Sequence, residues 1–525
     1  MSFTIKRHPV VARGVLALIM STCLGQALAQ PAELSGLDDF AVKAMQLSQT
    51  PGMAIAVVQG NEVVLAKGYG VRKIGNSASV DKDTLFAIGS NSKYFTATAL
   101  GLLVEEGLVD WDEPLTHYLP NLGFSDPYLY TEVSLRDALG HRTGLARADL
   151  RWYADPGIDR DQALAMIEHL PREIGFRSGF IYNNFMFLAA GQVIPAVTGQ
   201  SWDEFVSQRI FKPLKMTRSR TTSAALKRQR NVAQPHQVID GNAVAVPYYN
   251  LDGMAPAGSI TSSVSDMANW CKVQLAAGEF EGEQVIPKAV LGTVRKPHNL
   301  IPLAKEGHIR TRHVAYALGI GRGNYGENHV AYMHTGGIDG MLSSFAFIPD
   351  AKLCVVALTN GSPNAQLHTA MTGYALDHLL GISDVDHLEK MSEAVKKQAE
   401  HRQEILGSHR QSADTAIKPT VSVEQMANGY QNESFGRVEI SAEANKLRFR
   451  YGTVFVGELQ HHRGNTFNVI LDDPNRRSES LIAVTFAEKA DGDVESLSLV
   501  MLEDPDRAVR FSAVARSADE ASKEQ

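Results

Sequence analysis

The 525 residues predict an α/β (α+β) region followed by a small all-β domain. Three observations carry this. Strand-like apolar runs gather at the two ends of residues 35 to 385, helix-favouring runs fill the middle, and residues 421 to 516 turn to short alternating strands at regular spacing. With 44% hydrophobic residues there is material for a large core and at least two domains.

The first region opens with a hairpin. Gly52-Met53-Ala54-Ile55-Ala56-Val57-Val58 and Glu62-Val63-Val64-Leu65-Ala66 flank Gly60-Asn61, the dipeptide type that tight hairpin turns prefer. Helices are expected near 91–107, 161–169, 185–198, 201–210 and 265–277, and the sheet resumes after 315. There Ser343-Ser344-Phe345-Ala346-Phe347-Ile348 alternates, Pro349-Asp350 turns, and Leu353-Cys354-Val355-Val356-Ala357-Leu358 gives a buried strand. From about 387 a charged amphipathic helix carries Leu388, Met391, Val395, Ile405 and Leu406 on its apolar face and reads as a packed linker. The strands behind it include Gly436 to Ile440, Lys446 to Tyr451, Thr466 to Ile470 and Ser480 to Phe486, which suggest a small barrel or sandwich.

Chemistry concentrates at three places. Ser90 and Lys93 stand three residues apart where an apolar helical run begins, so on one helix face the lysine can reach the serine hydroxyl. A hydroxyl attacks poorly at neutral pH unless a neighbour takes its proton, and a desolvated lysine can do so. Tyr182 and Asn184 offer a phenol and an amide two residues apart where a turn enters another apolar helix. His334-Thr335-Gly336-Gly337 precedes a strand, its glycines allowing a substrate backbone to approach closely. Each pattern alone is cheap: Ser79/Lys82, Tyr248/Asn250 and Tyr430/Asn432 repeat two of them.

Their order is not cheap. Ser-x-x-Lys, Tyr-x-Asn and His-Thr-Gly in sequence resemble the penicillin-recognising serine hydrolases, in particular the branch of class C β-lactamases, D-aminopeptidases and related esterases. Leu139-Gly140-His141-Arg142-Thr143-Gly144-Leu145 looks like that family's His-x-Ser-Gly-Leu segment, and Pro256-Ala257-Gly258-Ser259 looks like its Pro-Ala-Gly-Gly loop. The resemblance implies an antiparallel sheet flanked by helices plus a helical lobe, of the β-lactamase/transpeptidase type, and a Ser-x-x-Lys acyl-enzyme mechanism. It assigns Ser90 as nucleophile, Lys93 as its partner, Tyr182 as general base or proton shuttle, its phenolate favoured by the nearby ammonium, and Asn184 as a contact for the substrate amide. The oxyanion would meet the N–H groups of Ser90 and Gly337, with Gly336 beside them, each donor worth about 3 to 4 kcal/mol in comparable sites.

His334 stands where β-lactamases usually carry lysine. A histidine is mostly neutral above a pKa of about 6.5, whereas the carboxylate of a β-lactam calls for a fixed cation. Peptidase or esterase activity therefore ranks ahead of β-lactamase or DD-carboxypeptidase activity. Linearised cyclic peptide toxins and peptides containing D-amino acids are among the substrates open to the family. A β-lactam sensor or structural relative without turnover is the non-enzyme alternative. The C-terminal domain resembles the lipocalin-like accessory domain of some relatives.

The expected organisation is a secretory signal over 1–29, the hydrolase region over 30–386, a helical linker over 387–420, the lipocalin-like domain over 421–516 and a disordered tail over 517–525. The signal rests on Lys6, Arg7 and Arg13, the apolar Gly14 to Met20, and Ala27-Leu28-Ala29 as a cleavage site, implying a secreted or periplasmic protein. The formal charge is −7, and loss of the three leader cations leaves −10, which disfavours nucleic acid as a partner. No run reaches the length of about 20 apolar residues that a membrane span needs. Cys271 and Cys354, one in an expected helix and one in an expected strand, leave room for one disulfide at most; both sit among apolar residues and are read as core, packing as small hydrophobes, with their pairing left open. There is no Gly-x-Ser-x-Gly elbow, no His-Glu-x-x-His and no cofactor motif, and His461-His462 reads as a surface or barrel pair. The expected partner is a small-molecule or peptide substrate.

Overall fold

Eight strands form the sheet that carries the site. The computed structural model describes residues 34–239, 241–302, 314–362, 366–443, 446–473, 476, 482–502 and 508–514; the expected signal over 1–29 and the expected tail over 517–525 lie outside these. The strands are β1 (Gly52–Gln59), β2 (Glu62–Gly70), β3 (Asn299–Leu300), β4 (Val314–Tyr316), β5 (Gly321–Tyr325), β6 (His329–Ile338), β7 (Met341–Ile348) and β8 (Leu353–Thr359). They lie side by side in the order β2-β1-β8-β7-β6-β5-β4-β3. Every neighbouring pair is antiparallel.

The first hairpin turns where Gly60-Asn61 placed it, and β1 crosses to pair with β8, joining the two ends of the region. The central strands are apolar on both faces because both are covered. Ala54, Ala56, Val58, Cys354, Val356 and Leu358 pack toward the helices between the strand groups, and Ile55, Val57, Val355 and Ala357 toward terminal helices. Those terminal helices are α1 (Leu37–Ser48) and α5 (Leu367–Leu379), neither of which was predicted. Three expected helices between them hold the site: α2 (Ser92–Glu105), α3 (Asn184–Thr198) and α4 (Val264–Leu275). The run at 161–169 divides into an α-turn at Arg160–Ala165 and a 3₁₀ turn at Met166–His169, and that at 201–210 ends in a π-turn at Ser207–Phe211.

Cys271 on α4 and Cys354 on β8 do not stay separate. They form a disulfide with Cα atoms 5.7 Å apart, pinning α4 to the sheet across 83 residues of chain. Both are fully buried, as the apolar setting implied, and the pairing that the sequence left open is made in place of the free-thiol packing it favoured.

α6 (His387–Gln411) follows, packing Leu388, Met391 and Val395 on the cluster beneath the sheet. Eight further strands, beginning at Gly429 and ending at Ala513, then close into an antiparallel barrel filled by residues such as Tyr430, Phe449, Val484, Leu497 and Phe511. Four of these strands were named from the sequence. Ser480 and Leu481, expected in one of them, lie outside the described residues. Ala154 of the first region belongs to the barrel's core cluster, and its carbonyl accepts from the N–H groups of Thr453 (2.9 Å) and Val454 (3.1 Å). No helix among the described residues is long and apolar enough to cross a membrane.

Candidate active site

Ser90 sits in a 3₁₀ turn, Gly89–Asn91, that leads directly into α2. Gly89 has φ +50°, and a Cβ there would lie 2.7 Å from the Gly337 nitrogen; a Cβ on Gly336 would lie 1.8 Å from the Ile88 carbonyl oxygen. These two glycines are what lets β6 press against the serine's turn. The contact is locked by Ser343 Oγ, which donates to the Ile88 carbonyl at 2.7 Å and accepts from Asn91 Nδ2 at 2.7 Å.

One turn into α2, Lys93 is fully buried. Its Nζ donates to the Ala257 carbonyl at 2.6 Å and lies 3.0 Å from Ser90 Oγ. Ala257 belongs to the Pro-Ala-Gly-Ser segment, which therefore serves as the floor under the lysine. Burial holds the Lys93 pKa well below that of an ordinary lysine; the charge of Asp149 opposes this and that of Arg147 reinforces it.

Tyr182 lies just before α3, whose N-cap Asn183 accepts from the Met186 N–H at 3.1 Å and donates to the Ala146 carbonyl at 2.7 Å. The Asn183 N–H donates to His141 Nδ1 at 3.1 Å, so the His-Arg-Thr-Gly-Leu segment and the Tyr-Asn-Asn turn are tied together. Tyr182 OH donates to Ser90 Oγ at 2.8 Å. Lys93 Nζ is 4.9 Å from the centre of its ring, the Arg147 guanidinium 5.1 Å, and the His141 ring 4.3 Å. From the sequence, the charge of Lys93 was expected to favour a phenolate. Burial outweighs it, and the Tyr182 pKa is raised, with the Ser90 hydrogen bond and Arg147 only partly offsetting this.

His334 is adjacent but not joined to the triad. Its Nδ1 lies 2.6 Å from the Thr335 carbonyl, which can only accept, so that nitrogen carries the proton. Nε2 is then the acceptor for Tyr316 OH at 2.9 Å. Burial, with the charge of Lys93, pushes the His334 pKa down to about 4.

Ser90, Asn184 and Gly337 border a cleft of about 480 Å³, together with Phe455 and Met501 from the barrel. Tyr182, Tyr316 and His334 border a second cavity of about 320 Å³. Three residues of this neighbourhood were missed. Arg147 and Asp149 form an ion pair at the cleft, and Asp149 also accepts from Trp152 Nε1 and from Asn184 Nδ2, each at 2.9 Å. Their only sequence signal is two charges in a mostly apolar loop shortly after His141. Tyr316 gave none, being one aromatic in a strand. No group of three His, Cys, Asp or Glu residues able to hold a metal occurs among the described residues. His461 and His462 lie far along the barrel, where His462 stacks on His409 with ring centres 4.0 Å apart.

The Beta-lactamase family profile matches residues 37–380 of the 525. The chain belongs to this family. Among its relatives is the Unguisins hydrolase ungD of Aspergillus violaceofuscus, 25% identical over 466 residues, or 81% of each chain. The fold is similar to that of the octameric penicillin-binding protein homologue from Pyrococcus abyssi (TM-score 0.59, 20% identity, 91% of this chain and 99% of that one). It is also similar to a D-stereospecific amidohydrolase from Streptomyces sp. (TM-score 0.54, 21% identity, 66% of this chain and 99% of that one). Within this β-lactamase-family fold, Ser90, Asn184 and Gly337 from the three motif segments border the first cleft, and Tyr182, His334 and Thr335 border the second cavity.

Proposed function

We propose that the protein is an exported serine hydrolase that cleaves amide or ester bonds through an acyl-enzyme on Ser90, with peptides as its principal substrates. The observation that carries this is the position of Ser90 Oγ, 3.0 Å from the Lys93 amine and 2.8 Å from the Tyr182 hydroxyl. A lysine whose burial favours the neutral amine can donate to Ala257 and accept the Ser90 proton through its lone pair. Ser90 Oγ then attacks the carbonyl carbon, and the N–H groups of Ser90 and Gly337 receive the oxyanion. Tyr182, kept protonated by burial, passes its proton to the leaving nitrogen and is reprotonated by the Lys93 ammonium. Tyr182 thus acts as the shuttle, and water reverses the sequence in deacylation.

Two features favour peptides over β-lactams. His334 is neutral at physiological pH with both ring nitrogens engaged, and the cationic Arg147 is paired with Asp149, so neither of these two offers a substrate carboxylate an unpaired cation. The Unguisins hydrolase and D-stereospecific amidohydrolase names among similar proteins point the same way. The buried disulfide fits export to an oxidising compartment.

A panel of peptides with L- and D-residues, short-chain esters and β-lactams, run beside Ser90→Ala, tests the proposal. Turnover that requires Ser90 and is greatest on peptides is expected, with Lys93→Ala and Tyr182→Phe each several orders of magnitude slower. Labelling of Ser90→Ala by a serine-directed phosphonate would exclude this nucleophile, and single-round labelling without turnover would favour a sensor.

A further inference from the structure

Asp149 fixes which end of the Asn184 amide faces the substrate. Its Oδ1 accepts from Trp152 Nε1 (2.9 Å) and Asn184 Nδ2 (2.9 Å), and its Oδ2 from Asn184 Nδ2 (3.0 Å) and Arg147 Nε. A carboxylate only accepts, so the nitrogen of the amide must point at it and the oxygen must point away. The amide of an unrestrained asparagine can turn over to suit a donor or an acceptor; this one cannot. Its oxygen accepts no hydrogen bond from the described residues, although Asn184 is buried and borders the same cleft as Ser90.

From this we infer that Asp149 is a positioning residue that holds Asn184 as a hydrogen-bond acceptor, so that the enzyme selects acyl groups presenting an N–H donor beside the scissile carbonyl. Aminoacyl and peptidyl substrates carry that donor, whereas acyl groups built on a 2-hydroxy acid and simple alkanoate esters do not. An ester oxygen in the same place sets two acceptors against each other in a partly desolvated site. Arg147, whose side chain is 52% exposed, completes the arrangement by occupying the remaining side of Asp149 Oδ2. The inference rests on the proposal that Ser90 is acylated by a peptide-like substrate, and it adds the polarity of the contact that selects it.

The test compares the p-nitrophenyl esters of N-acetylleucine and of its 2-acetoxy analogue, in both configurations, with the full mature protein. The two differ by one N–H replaced by oxygen, and rates are divided by those of hydroxide hydrolysis. The N–H member should be favoured in kcat/KM by about tenfold or more. Asn184→Ala should bring the ratio near one. So should Asp149→Asn, because an amide at 149 can either donate or accept and leaves Asn184 free to turn. A merely structural role for Asp149 would slow both esters alike, and an unchanged ratio in the folded variants overturns the inference. Should Asp149→Asn fail to fold, Asn184→Ala decides. Ser90→Ala separates the two levels: Ser90-dependent hydrolysis with no N–H preference refutes the inference alone, while hydrolysis independent of Ser90, or none of either ester, refutes the underlying reading as well.

Discussion

At the scale of single residues, position and environment are legible to different degrees. Ser90 and Lys93 were suggested by a helical spacing, which is a local property, and Tyr182 and His334 by the order of the three motifs, which resembles that of the family. The lowered pKa of Lys93 and the neutral ring of His334 agree with that reading, but the protonation state of Tyr182 does not, because its burial is set by residues far away in sequence. The reversal at Tyr182 shows it: a neighbouring amine was visible, the desolvation that outweighs it was not. His334→Lys tests the consequence for specificity. A cation there replaces a neutral ring, and the ratio of kcat/KM for a substrate with a free carboxylate to that for its methyl ester should rise about tenfold. No movement would mean that the side chain at 334 does not meet that part of the substrate. A second test concerns His368, a buried residue with Nδ1 unpartnered among the described residues and a pKa pushed down to about 4 by burial. The unfolded chain protonates it near 6.5 and the folded one does not, so stability is retained above pH 6.5 and lost as the pH falls toward 4. The loss should be about 3 kcal/mol by pH 4. His368→Leu should flatten this acid limb in urea titrations, and an identical limb in the variant would show that His368 is protonated without cost.

At the scale of elements, the first hairpin and the helices beginning at Ser92, Asn184 and Val264 follow from turn chemistry and apolar runs, and all three helices carry or support the site. What escaped were pairings between distant segments. Nothing local says that Cys271 and Cys354 meet, since that requires α4 to lie across the sheet face on which Cys354 points inward. The same placement stacks Trp270 on Phe95 at 4.1 Å, so α4 buttresses the helix that bears Lys93. Closing a loop of this size is worth about 4.5 kcal/mol in the chain-entropy account and about 2 to 4 kcal/mol in typical measurements. Cys271→Ala with Cys354→Ala should therefore lower the unfolding free energy by about 2 to 4 kcal/mol. Turnover of the folded enzyme should change little, because neither sulfur lies at the cleft. Equal denaturation midpoints for the variant and the parent, both without reductant, would show that the bridge does not form in the protein.

At the scale of the whole molecule, the sequence separates a region bearing every motif from a β-rich segment bearing none, and predicts that a chain ending near Arg410 keeps a folded hydrolase. The motifs do meet without the barrel: every hydrogen bond of Ser90, Lys93 and Tyr182 described above is made by residues before 410. Yet the barrel is part of the cleft. Phe455 and Met501 line it, and Arg476 donates to Asp339 Oδ2 at 2.8 Å and to Tyr153 OH at 2.7 Å, tying the loop after Gly337 to the barrel. Removing the barrel strips cover from Leu150, Tyr153 and Ala154, which pack on its core, and leaves Asp339 without its arginine. The truncated chain should fold but be less stable, and lose far more kcat/KM on a peptide spanning the cleft than on p-nitrophenyl acetate, whose acyl group reaches little beyond Ser90. Arg476→Ala in the full chain should show the same order with a smaller loss, since the apolar wall remains. Equal losses on both substrates with an unchanged far-UV spectrum would mean that the barrel does not shape the cleft. Aggregation of the truncated chain would instead show that the surface around Tyr153 cannot be left uncovered, making the barrel a requirement of folding as well as a wall of the site.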